Sequence, residues 1–430
     1  MESSLKRFLL EFEKNPRICS ILYDGRSGSV FLQSLLDDHP DVSTFPATAL
    51  MGGARGRHIN EMLAMVPEMS WVALGEEFVR RYPVVFDSTD DTTNCRLNEL
   101  GENQNEKIDV CRKKFLEIWN ELTASAPKTP RIFFIALHLA YEAAKNRKIT
   151  GRFLIVHAMH TPEPNMKMVC DLFPEQKILL MTREPLETFA SHFTHHIKVY
   201  EKENPGKKFW EQESHASYPF HIFKNIFSSY EEIKKNVKQH KNIRAIRLED
   251  LHISAKKTTG RIQKFLKIKP SEKILKATFS GKIHWGDISI PHKTGASKKR
   301  PTFDSNKLYF EEDKILLKSL LAKRYFNYKY QRNDKNKKQK DINTLLENPN
   351  KWEALGLSIL LNIEIEAART ALKSGNAASI IHNMPWRKKI FLGKKKKNIV
   401  NEITKHFLMR VKFSKKLQEK AKKEIKIPLV

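Results

Sequence analysis

The feature that most constrains this 430-residue chain is a short apolar run, R-I-C-S-I-L-Y at 17–23, which breaks into D-G-R-S-G-S and resumes as V-F-L-Q-S-L-L. The first run is continuous in apolar character, as a strand buried on both faces must be. The second repeats apolar residues at helical spacing and is stopped by His39-Pro40. Strand, glycine-bearing turn and helix in that order aim a helix N-terminus at whatever lies beyond the strand. Such an end, with free N–H groups and a positive dipole, suits an anion.

Further strand candidates follow at 152–157 (R-F-L-I-V-H), 177–182 (K-I-L-L-M-T) and 243–248 (I-R-A-I-R-L). Helical patterns succeed them near 163–173, from about 187 with another over about 215–239, and near 255–268. This alternation predicts an α/β fold with a P-loop-like parallel sheet flanked by helices. Residues 40–150 are mostly helical in pattern, with an amphipathic helix at 131–148. Beyond about residue 330 the composition changes. Q-R-N-D-K-N-K-K-Q-K-D reads as a solvated linker, and helix-like segments follow near 351–374 and 398–425. Residues 331–430 hold 24 Lys+Arg against 9 Asp+Glu, about half of the net +28. The expected division is a globular domain at 1–330 and a basic, mainly helical C-terminal extension at 331–430.

Two places carry chemistry. In Gly25-Arg26-Ser27-Gly28-Ser29, glycine lets backbone approach an anion, Arg26 adds charge, and Ser27 and Ser29 add hydroxyl donors. The Walker pattern with its lysine is absent, which argues against an ATP-Mg site and so against a P-loop nucleotide kinase, the first alternative reading. The second place is R-E-P-L-E-T-F-A-S at 183–191, at the carboxyl end of a strand, where parallel sheets bind ligands. Arg183 and Ser191 there can grip a second phosphate. Alone, Arg183 reads better as a helix-start residue in a surface ion pair with Glu187.

Together these motifs resemble the PAPS-dependent sulfotransferases, where PAPS is 3′-phosphoadenosine 5′-phosphosulfate. The family's 5′-phosphosulfate loop is similar to Arg26-Ser27-Gly28-Ser29, with Phe31 at the place of an adenine-stacking aromatic. Its 3′-phosphate motif is matched by Arg183, Pro185 and Ser191. The family's Y-E-D-L segment is similar to L-E-D-L at 248–251, with Leu248 in place of the tyrosine. Gly281, Trp285, Gly286, Asp287, Thr294 and Gly295 resemble the loop that closes over the nucleotide. The resemblance covers about residues 17–330, and implies that 1–330 is a PAPS-binding catalytic domain. It also implies that Arg26 stabilises charge on the leaving phosphate, that PAPS is the co-substrate, and that no metal is needed.

The acceptor must lose a proton to a base. In V-H-A-M-H-T-P (156–162), His160 is the first candidate and His157 the second; Asp87 is a third. His192, His195 and His196 share a helix face but lack companions that would complete a metal site. The expected acceptor is a hydroxyl of a glycan, a glycolipid or another compound, as in bacterial carbohydrate-modifying members of the family. The surplus charge allows peripheral contact of the C-terminal region with an anionic surface, or an inert polyanion-binding protein as the second alternative. No nucleic-acid motif accompanies it, and nucleic acid is not an expected partner. Four separated cysteines, the absence of a signal-peptide pattern and the lack of any apolar run near ~20 residues lead to an expected cytoplasmic location.

Overall fold

The apolar run at 18–23 becomes a strand with all six residues buried. In the computed structural model it lies in the middle of the sheet. The residues described are 2–23, 25–46, 59–91, 95–160, 165–224, 241–287, 294–297, 308–330, 342–361, 363–374, 394–420 and 427–430. The linker expected at 331, much of the helix expected over 215–239 and the side chain of His160 lie outside them.

In chain order the elements begin with α1 (Glu2–Lys14), β1 (Ile18–Tyr23), α2 (Ser29–Leu36), β2 (Val42–Ser43), α3 (Ile59–Met65), α4 (Trp71–Arg81) and α5 (Pro83–Phe86). Then come α6 (Arg112–Thr123), α7 (Pro130–Ala144), β3 (Leu154–His160), α8 (Asn165–Leu172), β4 (Lys177–Thr182), α9 (Pro185–Glu203) and β5 (Ile243–Arg247). These are followed by α10 (Leu248–Ile253), α11 (Ala255–Leu266), β6 (Thr278–Phe279), β7 (Lys282–Ile283), α12 (Glu311–Leu320) and α13 (Ala322–Asn327). The last are α14 (Ile342–Glu347), α15 (Lys351–Leu361), α16 (Ile365–Lys373) and α17 (Lys394–Lys420). The chain divides into two compact units, one of residues 1–182, 235–301 and 428–430, the other of 183–234 and 302–427.

The first unit holds a parallel five-stranded sheet in the order β2-β3-β1-β4-β5. The α/β class expected from alternation is therefore observed. One face, with Cys19, Ile21, Leu154, Val156 and Leu179, packs against Leu32 and Leu35 of α2 and Ile262 and Leu266 of α11. On the other face Phe134 of α7 meets His157 edge-on at 5.5 Å. The segment expected as an amphipathic helix is buried without a break from Ile132 to Glu142. A helix covered on every side is a core helix, which a one-faced pattern cannot describe. The outer edge of β5 is bridged by the chain's last residues, Ala245 N donating to Pro428 O at 2.8 Å. Because β1 connects toward β2 and β4 toward β5, the crevice of this sheet opens at the carboxyl ends of β1 and β4.

The second unit is helical. Phe189 and Phe193 of α9 share a core with Trp210, Leu316, Leu346 and Trp352. Leu357, Leu372, Ile399, Val400, Ile403 and Phe407 form another cluster. Residues beyond 331 thus supply core partners to α9 and α12, and the units follow a different partition from the one composition suggested. Arg410, fully buried, donates to Glu353 Oε1 at 3.0 Å, Leu346 O at 2.7 Å and Asn348 O at 2.8 Å. This ties α17 to α14 and α15.

Replacing Arg410 with Met leaves the Glu353 carboxylate buried without its partner. We expect a loss of about 3–5 kcal/mol in chemical denaturation. Adding Glu353→Leu should recover part of it, since removing both charges costs less than stranding one.

Candidate active site

The turn between β1 and α2 is left-handed at Arg26 (φ 67°) and Gly28 (φ 90°). Gly28 is required twice over. Its φ disfavours a side chain, and a Cβ there would collide with Leu248 Cδ1, the first residue of α10. As N-cap of α2, Gly28 supplies no side-chain cap, so the first-turn N–H groups stay outside both the intrahelical ladder and a capping bond. Ser27 is buried, and its Oγ has no hydrogen-bond partner among the described residues. A buried orphan hydroxyl costs about 1–3 kcal/mol, and it faces no such cost when a ligand supplies the partner. An unpaired donor, uncapped amides and a positive helix end fit an anionic phosphosulfate. Ser29, the first helical residue, is buried beside them.

Arg26 Nη1 lies 2.8 Å from Asp287 Oδ2, and both side chains are mostly buried. The segment that carries Asp287 is anchored. Gly281 N donates to Asp37 Oδ2 at 2.9 Å and Trp285 Nε1 to Gly101 O at 2.6 Å. His284 Nε2 is 2.9 Å from Cys95 O, and burial lowers its pKa to about 4. Sequence comparison marked this segment as a closing loop; it did not reveal the contact with Arg26. Phe31 stacks on His252, centroids 4.7 Å apart and planes 2° from parallel. His252 Nδ1 accepts from Ser297 N at 3.1 Å, which places the proton of a neutral ring on Nε2. His252 was not singled out by sequence, where its only signal is its place just after L-E-D-L.

The three base candidates differ sharply. The backbone of His160, the last residue of β3, is in register with Tyr23, the last of β1, while His157 pairs with Ser20 in mid-strand. His157 is buried, and desolvation lowers its pKa to about 4. Asp87 is part-exposed and accepts from Thr89 N at 3.0 Å and Lys107 Nζ at 3.1 Å. The hydrogen bonds from Thr89, then that from Lys107, hold its carboxyl at about 2, which makes it a poor proton acceptor near neutrality.

In the second unit, Arg183, Glu187 and Ser191 recur at four-residue spacing and so share one helical face. Arg183 Nη2 is 3.5 Å from Glu187 Oε2. The alternative expected for Arg183 was a surface pair; both partners are instead largely shielded. Ser191 is also buried. Glu184, the N-cap of α9, accepts from Glu187 N at 2.8 Å and from the Tyr325 hydroxyl. The His192 and His196 rings are 5.0 Å apart, and His196 packs on Tyr218 at 4.7 Å. The structure thus gathers Arg26, Ser27, Gly28, Ser29 and Phe31 in one unit, and describes Arg183 and Ser191 within the other.

The family described as Sulfotransferase domain matches residues 25–280. No curated protein matches the chain. One similar solved structure is the sulfotransferase domain from the Curacin biosynthetic pathway, with 15% identity over 68% of this chain and 88% of that one, at a TM-score of 0.34.

His157 gives a pH test. Its folded pKa lies below its unfolded value, so it contributes stability that is present above about 6.5 and is lost as pH falls toward about 4. His157→Gln should flatten the fall in urea midpoint between those limits, by up to ~1.4 kcal/mol per pH unit. Equal slopes in both proteins would contradict this.

Proposed function

Since this chain belongs to the sulfotransferase-domain family, and is a sulfuryl-transferring enzyme on that ground, we propose that its donor is PAPS and its acceptor a hydroxyl, of a carbohydrate or glycolipid. The observation that carries the donor reading is the turn at 26–29, with its uncapped helix end and a Ser27 hydroxyl that has no partner among the described residues.

In this reading Ser27, Ser29 and the first-turn amides of α2 hold the 5′-phosphosulfate, and Phe31 offers a ring to adenine. The Arg183 guanidinium and the Ser191 hydroxyl take the 3′-phosphate, the group that separates PAPS from ATP. The S–O bond to phosphate breaks as a new S–O bond to the acceptor oxygen forms. The bonding pair stays on the phosphate oxygen, and Arg26 stabilises the charge that builds there. Arginine holds a fixed charge but is a poor proton donor, so its contribution is electrostatic. The acceptor's proton passes to a base. His160 is the favoured residue, because its backbone lies level with the end of β1; His157 is the reserve. The carbohydrate part rests on the net charge of +28 and on the helical stretch between β2 and β3. Charge of this sign also favours contact of the C-terminal region with an anionic surface.

Two variants test the donor reading by release of adenosine 3′,5′-bisphosphate (PAP) from PAPS in the presence of a glycan and glycolipid panel. Arg26→Ala should lower turnover by about 10²- to 10³-fold, the cost of one oxyanion donor. Arg183→Ala should weaken PAP binding about ten- to a hundredfold, with the smaller effect on kcat. Turnover unaffected by loss of Arg26 would sink the assignment.

A further inference from the structure

The Arg26–Asp287 pair raises a question about charge that the transfer reaction leaves open. A carboxylate rests 2.8 Å from the one arginine of the phosphosulfate turn. It is not a loose surface partner, because Trp285 and His284 fix the segment just before it. Asp287 therefore cancels much of the guanidinium charge and leaves the α2 helix end as the balance of positive potential.

We propose that Asp287 is a specificity-determining residue that makes this turn favour the donor over the spent nucleotide. The inference rests on the PAPS reading above. In PAPS the 5′ substituent spreads its charge, one unit on the bridging phosphate and one on the sulfate. In PAP the same position holds a terminal phosphate of about −1.5 to −2 at pH 7. A fixed carboxylate beside Arg26 repels the concentrated charge more than the divided one. The bound product is thereby loosened without a matching loss of donor affinity, and the freed binding energy is not wasted on the ground state. A like charge at this range in a partly screened site is worth about tenfold in affinity.

The test is isothermal titration of the full chain with PAPS, PAP, AMP and adenosine 3′-monophosphate. Wild type should bind PAP more tightly than AMP. Asp287→Asn should tighten PAP about tenfold, PAPS about threefold or less, and adenosine 3′-monophosphate not at all. Asp287→Glu should behave as wild type, and Arg26→Ala, which leaves the carboxylate unneutralised, should weaken PAP more than PAPS. Asp287→Ser replaces the Asn variant should that one melt early. PAP affinity unchanged or weakened in the neutral variants, or PAP and PAPS tightened equally, overturns the role of Asp287 while leaving the donor reading in place. A wild type that binds PAP no better than AMP overturns the donor reading, and this proposal with it.

Discussion

The contact between Gly28 and Leu248 is what the first unit's chemistry depends on. β1 is buried on both faces and so sits in the middle of the sheet, with its carboxyl end at the crevice. From there the chain must reverse into α2 within a few residues, and it does so through left-handed conformations at Arg26 and Gly28. Leu248 presses on the face where a Cβ of residue 28 would stand, and the same leucine belongs to the sheet core with Leu32, Leu35 and Ile246. The site is thus not appended to the fold. One core side chain sets how far the turn can rise, and therefore where the N–H groups of α2 point.

Around that turn the usual rules of polar satisfaction are broken locally. Ser27 Oγ is buried and unpaired among the described residues, and the helix start has no side-chain cap. Other buried side chains of the unit are paired only in part: Gln33 Oε1 and His138 Nε2 also lack a hydrogen-bond partner among the described residues. Thr129 caps α7 through Ile132 N at 3.2 Å, and Gln33 donates to Thr44 Oγ1 at 2.8 Å and to Phe45 O at 2.6 Å. What sets Ser27 apart is the coincidence of an idle donor with an uncapped helix start and a left-handed turn at the carboxyl end of β1.

Sequence was most informative where periodicity and burial agree. β1 and β4 read as nearly continuous apolar runs because strands inside a covered parallel sheet are buried on both faces, and the turn at 25–29 reads from its glycines and hydroxyls. β2 escaped because Val42 and Ser43 are too few to show a period. α7 was taken for amphipathic because His138 and Glu142 punctuate its apolar run, yet both are buried, with Ser43 Oγ 2.9 Å from His138 Nδ1 and 3.1 Å from Glu142 Oε1. A polar residue buried inside looks, in sequence, like one facing water. Asp287 and His252 lie far along the chain from Arg26 and Phe31, and no local pattern announces a pairing over such separations.

The lysine-rich region illustrates the converse. Its composition suggests a solvated extension, but α17 buries Ile399, Val400, Ile403, Phe407, Arg410 and Ser414 at spacings of one, three and four. That is the inward stripe of a core helix. Its lysines lie off that stripe: Lys405, Lys412 and Lys415 are exposed, with Leu408 and Met409 among them. Lys405 pairs with Glu402 at 3.1 Å and Lys415 with Glu347 at 2.7 Å, so part of this charge is neutralised within the unit itself. Within the second unit, the basicity counted in the sequence is therefore a structural feature held in place by the same buried residues that composition hid.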